Sequence, residues 1–201
     1  MATTTGAIVL AGGRSERMGQ DKALLRLEER TLLQTVVAAL RPFADRIVVV
    51  AQEPEPYLLP DVEGVADLYP GQGPVGGILT GLTALGVGAH LVVACDMPAL
   101  QPGILRLLRD SATPEWDAVV PERDGRPEPL CAVYRDTAAP ALQSFLATGR
   151  RAAFEALKML RVYYLHEETL RGVDPDLLTF TNLNTPHDLA AFMERANRNR
   201  T

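Results

Sequence analysis

The chain has 201 residues, 47% hydrophobic and 22% charged, the composition of one ordinary globular domain, which excludes a disordered, collagenous or membrane-spanning chain. Twenty basic against 25 acidic residues leave a net charge of −5. Nucleic acid and anionic membrane are therefore not expected as partners held by a general positive field, and any anionic ligand must meet local positive charge.

The first residues, Met1 to Thr5, carry no basic side chain, and the apolar run Ala7 to Ala11 is too short for a signal peptide or a membrane helix. A cytoplasmic location is expected. That run is the first predicted strand. Thr31-Leu32-Leu33-Gln34 has the form of a capping box, in which the Thr hydroxyl and the Gln amide each satisfy a free backbone N–H, and an apolar helix face runs on to Leu40 before Pro42. Strands follow at Arg46 to Ala51 and Gly64 to Tyr69, a helix at Val75 to Leu85, a strand at His90 to Cys95, and a helix at Pro102 to Ser111. Strands at Asp117 to Pro121 and Leu130 to Tyr134 precede helices at Thr137 to Thr148 and Ala152 to Leu160, then a strand at Arg161 to His166. Thr185-Pro186-His187-Asp188 starts the last helix with a Thr cap, Pro in the first turn and an acid at the dipole's positive end, and residues 195–201 are expected to fray. Several strands are Val/Ile/Leu-rich without alternation, as parallel strands buried on both faces should be. No repeat or linker divides the chain, so residues 1–201 are predicted to form a single Rossmann-like α/β domain, three layers αβα around a mostly parallel sheet.

The densest chemical signal is Leu10-Ala11-Gly12-Gly13-Arg14-Ser15-Glu16-Arg17-Met18-Gly19-Gln20-Asp21-Lys22, between the first strand and the first helix. In an open α/β sheet ligands bind outside the carboxyl ends of the strands, where this loop must lie. Gly12 and Gly13 allow close backbone approach and present N–H groups, so the backbone from Leu10 and Ala11 through Gly12 and Gly13 fits a phosphate cradle. Arg14, Arg17 and Lys22 supply the positive charge that the net charge withholds. The loop is not a P-loop, because the Gly-Lys pair is missing from the required place. Leu91-Val92-Val93-Ala94-Cys95 delivers Asp96 to the same sheet edge, well placed for Mg²⁺, a hard cation that takes carboxylate and phosphate oxygens; a turn-capping role is the alternative. Gly71-Gln72-Gly73-Pro74-Val75-Gly76 matches the dinucleotide fingerprint, but Pro74 removes an N–H from the turn and the match is not in the first βα unit. His90, His166 and His187 have no spacing suited to a metal or a triad, Ser15 lacks a His partner, and Cys95 and Cys131 show no CxxC or Cys/His cluster and read as free thiols of a reducing compartment. Arg123-Asp124-Gly125-Arg126 reads as a turn, and its arginines, like Arg150 and Arg151, either meet a second substrate's phosphate or are merely solvated.

Leu10-Ala11-Gly12-Gly13-x-Ser15-x-Arg17-Met18-Gly19-x-Asp21-Lys22-Ala23-Leu24-Leu25 resembles the opening signature of the molybdenum cofactor guanylyltransferases, within a larger group of sugar-nucleotide and cytidylyl transferases. The resemblance continues through Gly73-Pro74-Val75-Gly76-Gly77-Ile78, Cys95-Asp96-Met97-Pro98, Pro127-Glu128-Pro129-Leu130 and Asn182-Leu183-Asn184-Thr185-Pro186, and so spans nearly the whole chain. It implies a nucleotidyltransferase fold and a role for Asp96 in holding metal and nucleotide. It also implies a nucleotide contact from Asp67, and an asparagine, either Asn182 or Asn184, as a second metal ligand or substrate contact. Where the family often carries Asn after the second strand, this chain has Gln52, which either substitutes or leaves that contact absent.

The implied reaction is Mg²⁺-dependent transfer of GMP from GTP to molybdopterin, or to its molybdenum-loaded form, with release of pyrophosphate. Molybdoenzyme maturation proteins are potential recipients of the product. Lys22, Arg17, Arg14 and Asp96 carry the catalysis in this reading, by neutralising and positioning anions rather than by forming a covalent intermediate. The competing readings are a CTP-dependent cytidylyltransferase of the same fold, a nicotinamide-dependent oxidoreductase resting on Gly71 to Gly76, and a GTP-binding module without catalysis.

Overall fold

A computed structural model of the chain describes residues 5–11, 21–57 and 59–198. Its central sheet is built from β1 (Gly6–Leu10), β4 (Arg46–Ala51), β5 (Glu63–Ala66), β6 (Ala89–Ala94), β7 (Ala118–Arg123), β9 (Cys131–Arg135) and β10 (Val162–His166), with the short β8 (Arg126–Pro127) on β7; β2 (Arg26–Leu27) and β3 (Arg30–Thr31) form a separate hairpin. The order is β10-β7-β9-β6-β1-β4-β5, parallel at every junction except those of β9, which runs antiparallel between β6 and β7, and of β8. Each of the seven long strands lies within a few residues of its expected place. β5 stops at Ala66, short of the expected Tyr69, because the Asp67 carboxylate accepts the Tyr69 N–H at 2.9 Å and turns the chain.

Among the described residues there are seven helices: α1 (Leu32–Leu40), α2 (Gly73–Leu85), α3 (Pro102–Asp110), α4 (Ala139–Ala147), α5 (Ala153–Ala156), α6 (Glu167–Arg171) and α7 (Pro186–Arg198). Alternate residues of β1 enter two separate cores, as the period of two requires. Ala7 and Val9 pack with Leu33, Val36 and Leu40 of α1 and Ile104 and Leu108 of α3, whereas Ile8 packs with Ile78 and Leu82 of α2 and Leu142 and Phe145 of α4. The three-layer αβα expectation is thereby met. The expected helix at Ala152 to Leu160 divides into α5 and a 3₁₀ turn, Leu157–Met159, and α6, five residues long, was not foreseen. α7 continues to Arg198, so backbone expected to fray is helical as far as residue 198, and residues 199–201 lie outside the described residues. No helix among the described residues is long and apolar enough to cross a membrane.

Both expected caps form. Thr31 Oγ1 accepts the Gln34 N–H at 3.1 Å while Gln34 Oε1 accepts the Thr31 N–H at 2.8 Å. At α7, Thr185 Oγ1 accepts the Asp188 N–H at 3.1 Å, and Asp188 Oδ2 accepts the N–H groups of Thr185 and Asn184 at 2.8 and 2.9 Å, a reciprocal box.

The glycines of α2 set its distance from the sheet. A Cβ at Gly81 would lie 2.5 Å from Ile8 Cγ2, and one at Gly77 would lie 2.9 Å from Leu10 Cδ2. With Gly76 pressed against Tyr69, the apparent dinucleotide fingerprint is largely a helix-packing pattern: α2 already begins at Gly73, and Gly76 lies inside it.

Candidate active site

A cleft of about 970 Å³ opens at the carboxyl edge of the parallel strands. Leu10 ends β1, Val50 and Ala51 end β4 with Gln52 just beyond, Asp67 follows β5, and Ala94 ends β6 with Cys95 to Met97 following. Because β9 is antiparallel, its start lies at this same edge: the Ala94 N–H donates to Leu130 O at 3.0 Å, which brings Glu128, Pro129 and Leu130 to the wall. The segment before α7 closes the cleft, held by the Leu183 N–H on Asp96 O at 3.0 Å. Leu183 is fully buried, so Asn182 and Asn184 on either side of it both reach the cleft, as the alternation about Leu183 requires.

At the centre, Lys22 Nζ stands 3.2 Å from Asp96 Oδ2 and donates to Asn184 Oδ1 at 2.7 Å. Lys22 is aimed by the residue before it. Asp21 Oδ1 accepts the Ala23 N–H at 3.0 Å, capping the turn Lys22–Leu24, and its Oδ2 accepts a short hydrogen bond from the Tyr57 hydroxyl. Burial, then this bond to Asp21, pushes the Tyr57 phenol well above its usual range, so it stays a donor. Asp67 Oδ1 is fixed by Thr80 Oγ1 at 3.0 Å, from a helix face that is otherwise apolar. Cys95 is buried on the cleft wall; desolvation drives its thiol up to about 12, so it stays protonated, and Cys131 is likewise a free, buried thiol.

Of the expected site residues, the structure gathers Leu10, Lys22, Gln52, Asp67, Asp96, Asn182 and Asn184 around one cleft. Ala11 is adjacent but buried, and its N–H is already given to Val50 O at 2.9 Å, so that group is unavailable to a ligand. Gly12, Gly13, Arg14 and Arg17, with Ser15, lie outside the described residues. His90 is a structural histidine, its Nδ1 accepting the Gly6 N–H at 3.0 Å; His166 pairs with Glu122, and His187 is exposed on α7. Arg123 and Arg150 are ion-paired with Glu128 and Glu155, while Arg151 adjoins Gly73 at the cleft through its backbone. Tyr57 and Thr80 were not foreseen as parts of the site, and Asp21 and Glu128, though within the motifs that carry the resemblance, had been given no role in it. Only Asp21, one residue before the start of a short turn, had a local signal, that of a helix cap.

Among the described residues the cleft lining carries Asp21, Asp67, Asp96 and Glu128 against Lys22. An acidic cleft of this kind accepts a polyanion only with added positive charge. Asp96 and Asn184, both oxygen donors beside the same ammonium, suit a hard divalent cation that draws its remaining ligands from phosphate and water, and no three-membered His/Cys/Asp/Glu cluster occurs among the described residues.

A sheet-edge cleft with a lysine, a strand-end aspartate and an asparagine, following a Gly-rich first loop, defines a nucleotidyltransferase-type domain. The chain belongs to the MobA-like NTP transferase family, whose domain model matches residues 7–162. It is 36% identical over 190 residues to the molybdenum cofactor guanylyltransferase of Desulfosudis oleivorans, covering 94% of each chain. It is 37% identical over 194 residues to a probable molybdenum cofactor guanylyltransferase of Chloroflexus aggregans, covering 90% of each. The crystal structure of molybdopterin-guanine dinucleotide biosynthesis protein A from Archaeoglobus fulgidus superposes with a TM-score of 0.84 at 32% identity, over 96% of this chain and 99% of that one. The 2-C-methyl-D-erythritol 4-phosphate cytidylyltransferase of Thermus thermophilus, at 18% identity and a TM-score of 0.68, shares the fold.

Proposed function

We propose that this protein transfers GMP from GTP to the terminal phosphate of molybdopterin, or of its molybdenum-loaded form, making the guanine dinucleotide cofactor and releasing pyrophosphate. The names of its relatives support the reaction class. The observation that carries it in this molecule is the Lys22–Asp96–Asn184 contact, one cation between two oxygen donors, in a cleft large enough for two ligands.

A phosphate oxygen of the acceptor attacks the α-phosphorus of GTP; the new P–O bond forms as the α–β anhydride bond breaks and pyrophosphate leaves with the electron pair. Both reactants are anions, so catalysis consists of holding them close and cancelling charge. Lys22 exchanges Asp96 for triphosphate oxygens when the nucleotide enters. Arg14 and Arg17 neutralise the triphosphate and the developing charge on pyrophosphate. Gly12 and Gly13 are assigned to the phosphates, and Gln52 and Asp67 to the nucleoside end. Asp96, with Asn184 or Asn182, would hold Mg²⁺, which supplies positive charge against the phosphate oxygens. The reaction is assigned to the cytoplasm, with molybdoenzyme maturation proteins as recipients of the product.

The test is thermal unfolding with Mg²⁺ and saturating GTP, CTP, ATP or NADH, followed by product mass with molybdopterin. A ligand at about a hundred times its Kd stabilises by roughly 2.7 kcal/mol, a shift of about 5–10 °C at this size. GTP is expected to give it. A shift with CTP alone would move the protein to cytidylyl transfer, and binding of GTP without pyrophosphate release in the presence of molybdopterin would make it a binding module.

A further inference from the structure

Glu128, Pro129 and Leu130 line the cleft but have no part in the chemistry described above. A carboxylate at the wall adds nothing to the binding of two polyanions, and its charge is offset by its pairing with Arg123. Glu128 is nevertheless fixed there. Its Oε1 accepts from both Nε and Nη2 of Arg123, at 3.0 Å for the former, and the Arg123 guanidinium lies 4.8 Å over the ring of buried Phe180. Oε2 has no partner among the described residues, and the side chain keeps 23% of its surface exposed. A held carboxylate with a spare oxygen calls for a ligand part that is uncharged and donates N–H groups. Pro129, Leu130 and Met97 are apolar residues of the same cleft lining, which a flat ring can contact.

Position decides which ligand this is. The sheet order β4-β1-β6-β9 sets the end of β4 and the start of β9 three strand spacings apart, roughly 14 Å at about 4.8 Å per strand; Gln52 follows β4, and Glu128 lies three residues before β9 on its far side, its N–H on Pro121 O of β7 at 2.8 Å. With the nucleoside end at Gln52 and Asp67 and the reacting phosphates at Lys22 and Asp96, the β9 side is left for the acceptor. We propose that Glu128, held by Arg123, reads the 2-amino-4-oxo edge of the acceptor's pterin, accepting from its 2-amino and ring N–H donors and making Glu128 a specificity-determining residue for the acceptor. The assignment rests on the guanylyl-transfer reading.

The test compares pterin with lumazine, which carries oxygen in place of the 2-amino group, by fluorescence titration against the full chain in the presence of GTP. Wild type is expected to bind pterin about tenfold more tightly. Glu128→Leu should abolish the preference, and Glu128→Gln, which keeps the shape and one acceptor oxygen, should retain part of it. In turnover, Glu128→Leu should raise KM for molybdopterin about tenfold and leave KM for GTP within about twofold. Equal binding of the two heterocycles to wild type, no binding of pterin, a preference that survives in a folded Glu128→Leu protein, or a rise in KM for GTP instead, would each overturn the inference. Failure of the underlying reading looks different: wild type would then release no pyrophosphate from GTP and molybdopterin, whatever heterocycle it prefers.

Discussion

Lys22 and Asn184 are separated by 162 positions in the chain, yet Lys22 Nζ donates to Asn184 Oδ1 at 2.7 Å while standing 3.2 Å from Asp96 Oδ2. One ammonium thus joins the turn after the Gly-rich loop, the end of β6 and the segment before α7. Lys22→Ala should lower kcat by at least about a hundredfold, as loss of a charge-stabilising group in a phosphoryl-type transfer does. The melting temperature should change little, because a partly exposed ion pair contributes little to stability. Near-wild-type turnover would remove Lys22 from the mechanism.

Asp96→Asn keeps the shape of the side chain and removes its charge. The Mg²⁺ concentration for half-maximal turnover should rise at least about tenfold, and GTP-induced thermal stabilisation should need correspondingly more Mg²⁺. An unchanged Mg²⁺ titration would show that the cation is held elsewhere.

Tyr57 touches Asp21, not the cleft's centre, and so acts through the Lys22–Leu24 turn. Tyr57→Phe should reduce kcat about five- to tenfold with a smaller effect on KM for GTP. Asp21→Asn, which also weakens the cap on the Ala23 N–H, should do at least as much, and the double variant should be no worse than Asp21→Asn alone. Additive losses in the double variant would separate the two residues.

Acid should weaken the fold in two stages. Burial holds the His90 imidazole below its usual value of 6.5, with Nδ1 committed as an acceptor from Gly6 and Nε2 donating to Gly86 O at 3.0 Å. Below about pH 6.5 the unfolded chain takes up a proton that the folded chain refuses, so stability falls as pH drops. Asp117 is lowered to about 2, chiefly by hydrogen bonds from Arg161. Its contribution is complete above the unfolded value of about 3.9 and is lost between there and pH 2. Melting temperatures measured from pH 8 to pH 2 should show both declines, and His90→Gln should remove the first; a flat profile between pH 7 and pH 5 would contradict the role given to His90.

Gly81→Ala should destabilise the protein by about 1–3 kcal/mol through overpacking against Ile8, which is fully buried and has no room to move. That exceeds the gain of up to about 1 kcal/mol that alanine brings to a helix. A higher urea midpoint in this variant would mean that α2 can ride away from the sheet.

Much of this molecule was written locally. Runs such as Leu91 to Cys95 declare buried strands because a strand covered on both faces needs apolar residues at every position, and the caps at Thr31 and Thr185 declare helix starts because their hydrogen bonds span three residues. Asp96 and Lys22 could be placed at the sheet's carboxyl edge for the same reason: each directly follows a recognisable strand or its loop. Strand neighbours are not local. That β9 runs antiparallel between β6 and β7, carrying Glu128 into the cleft, follows from how two separate cores pack on opposite faces, and no periodicity within β9 encodes it. Nor does a polar pair such as Lys22–Asn184 or Tyr57–Asp21 leave a pattern in sequence, since such a contact forms only after the sheet has brought its two loops to one edge. The sequence by itself determined the elements and the chemistry available at their ends; the tertiary structure alone decided which of those ends meet.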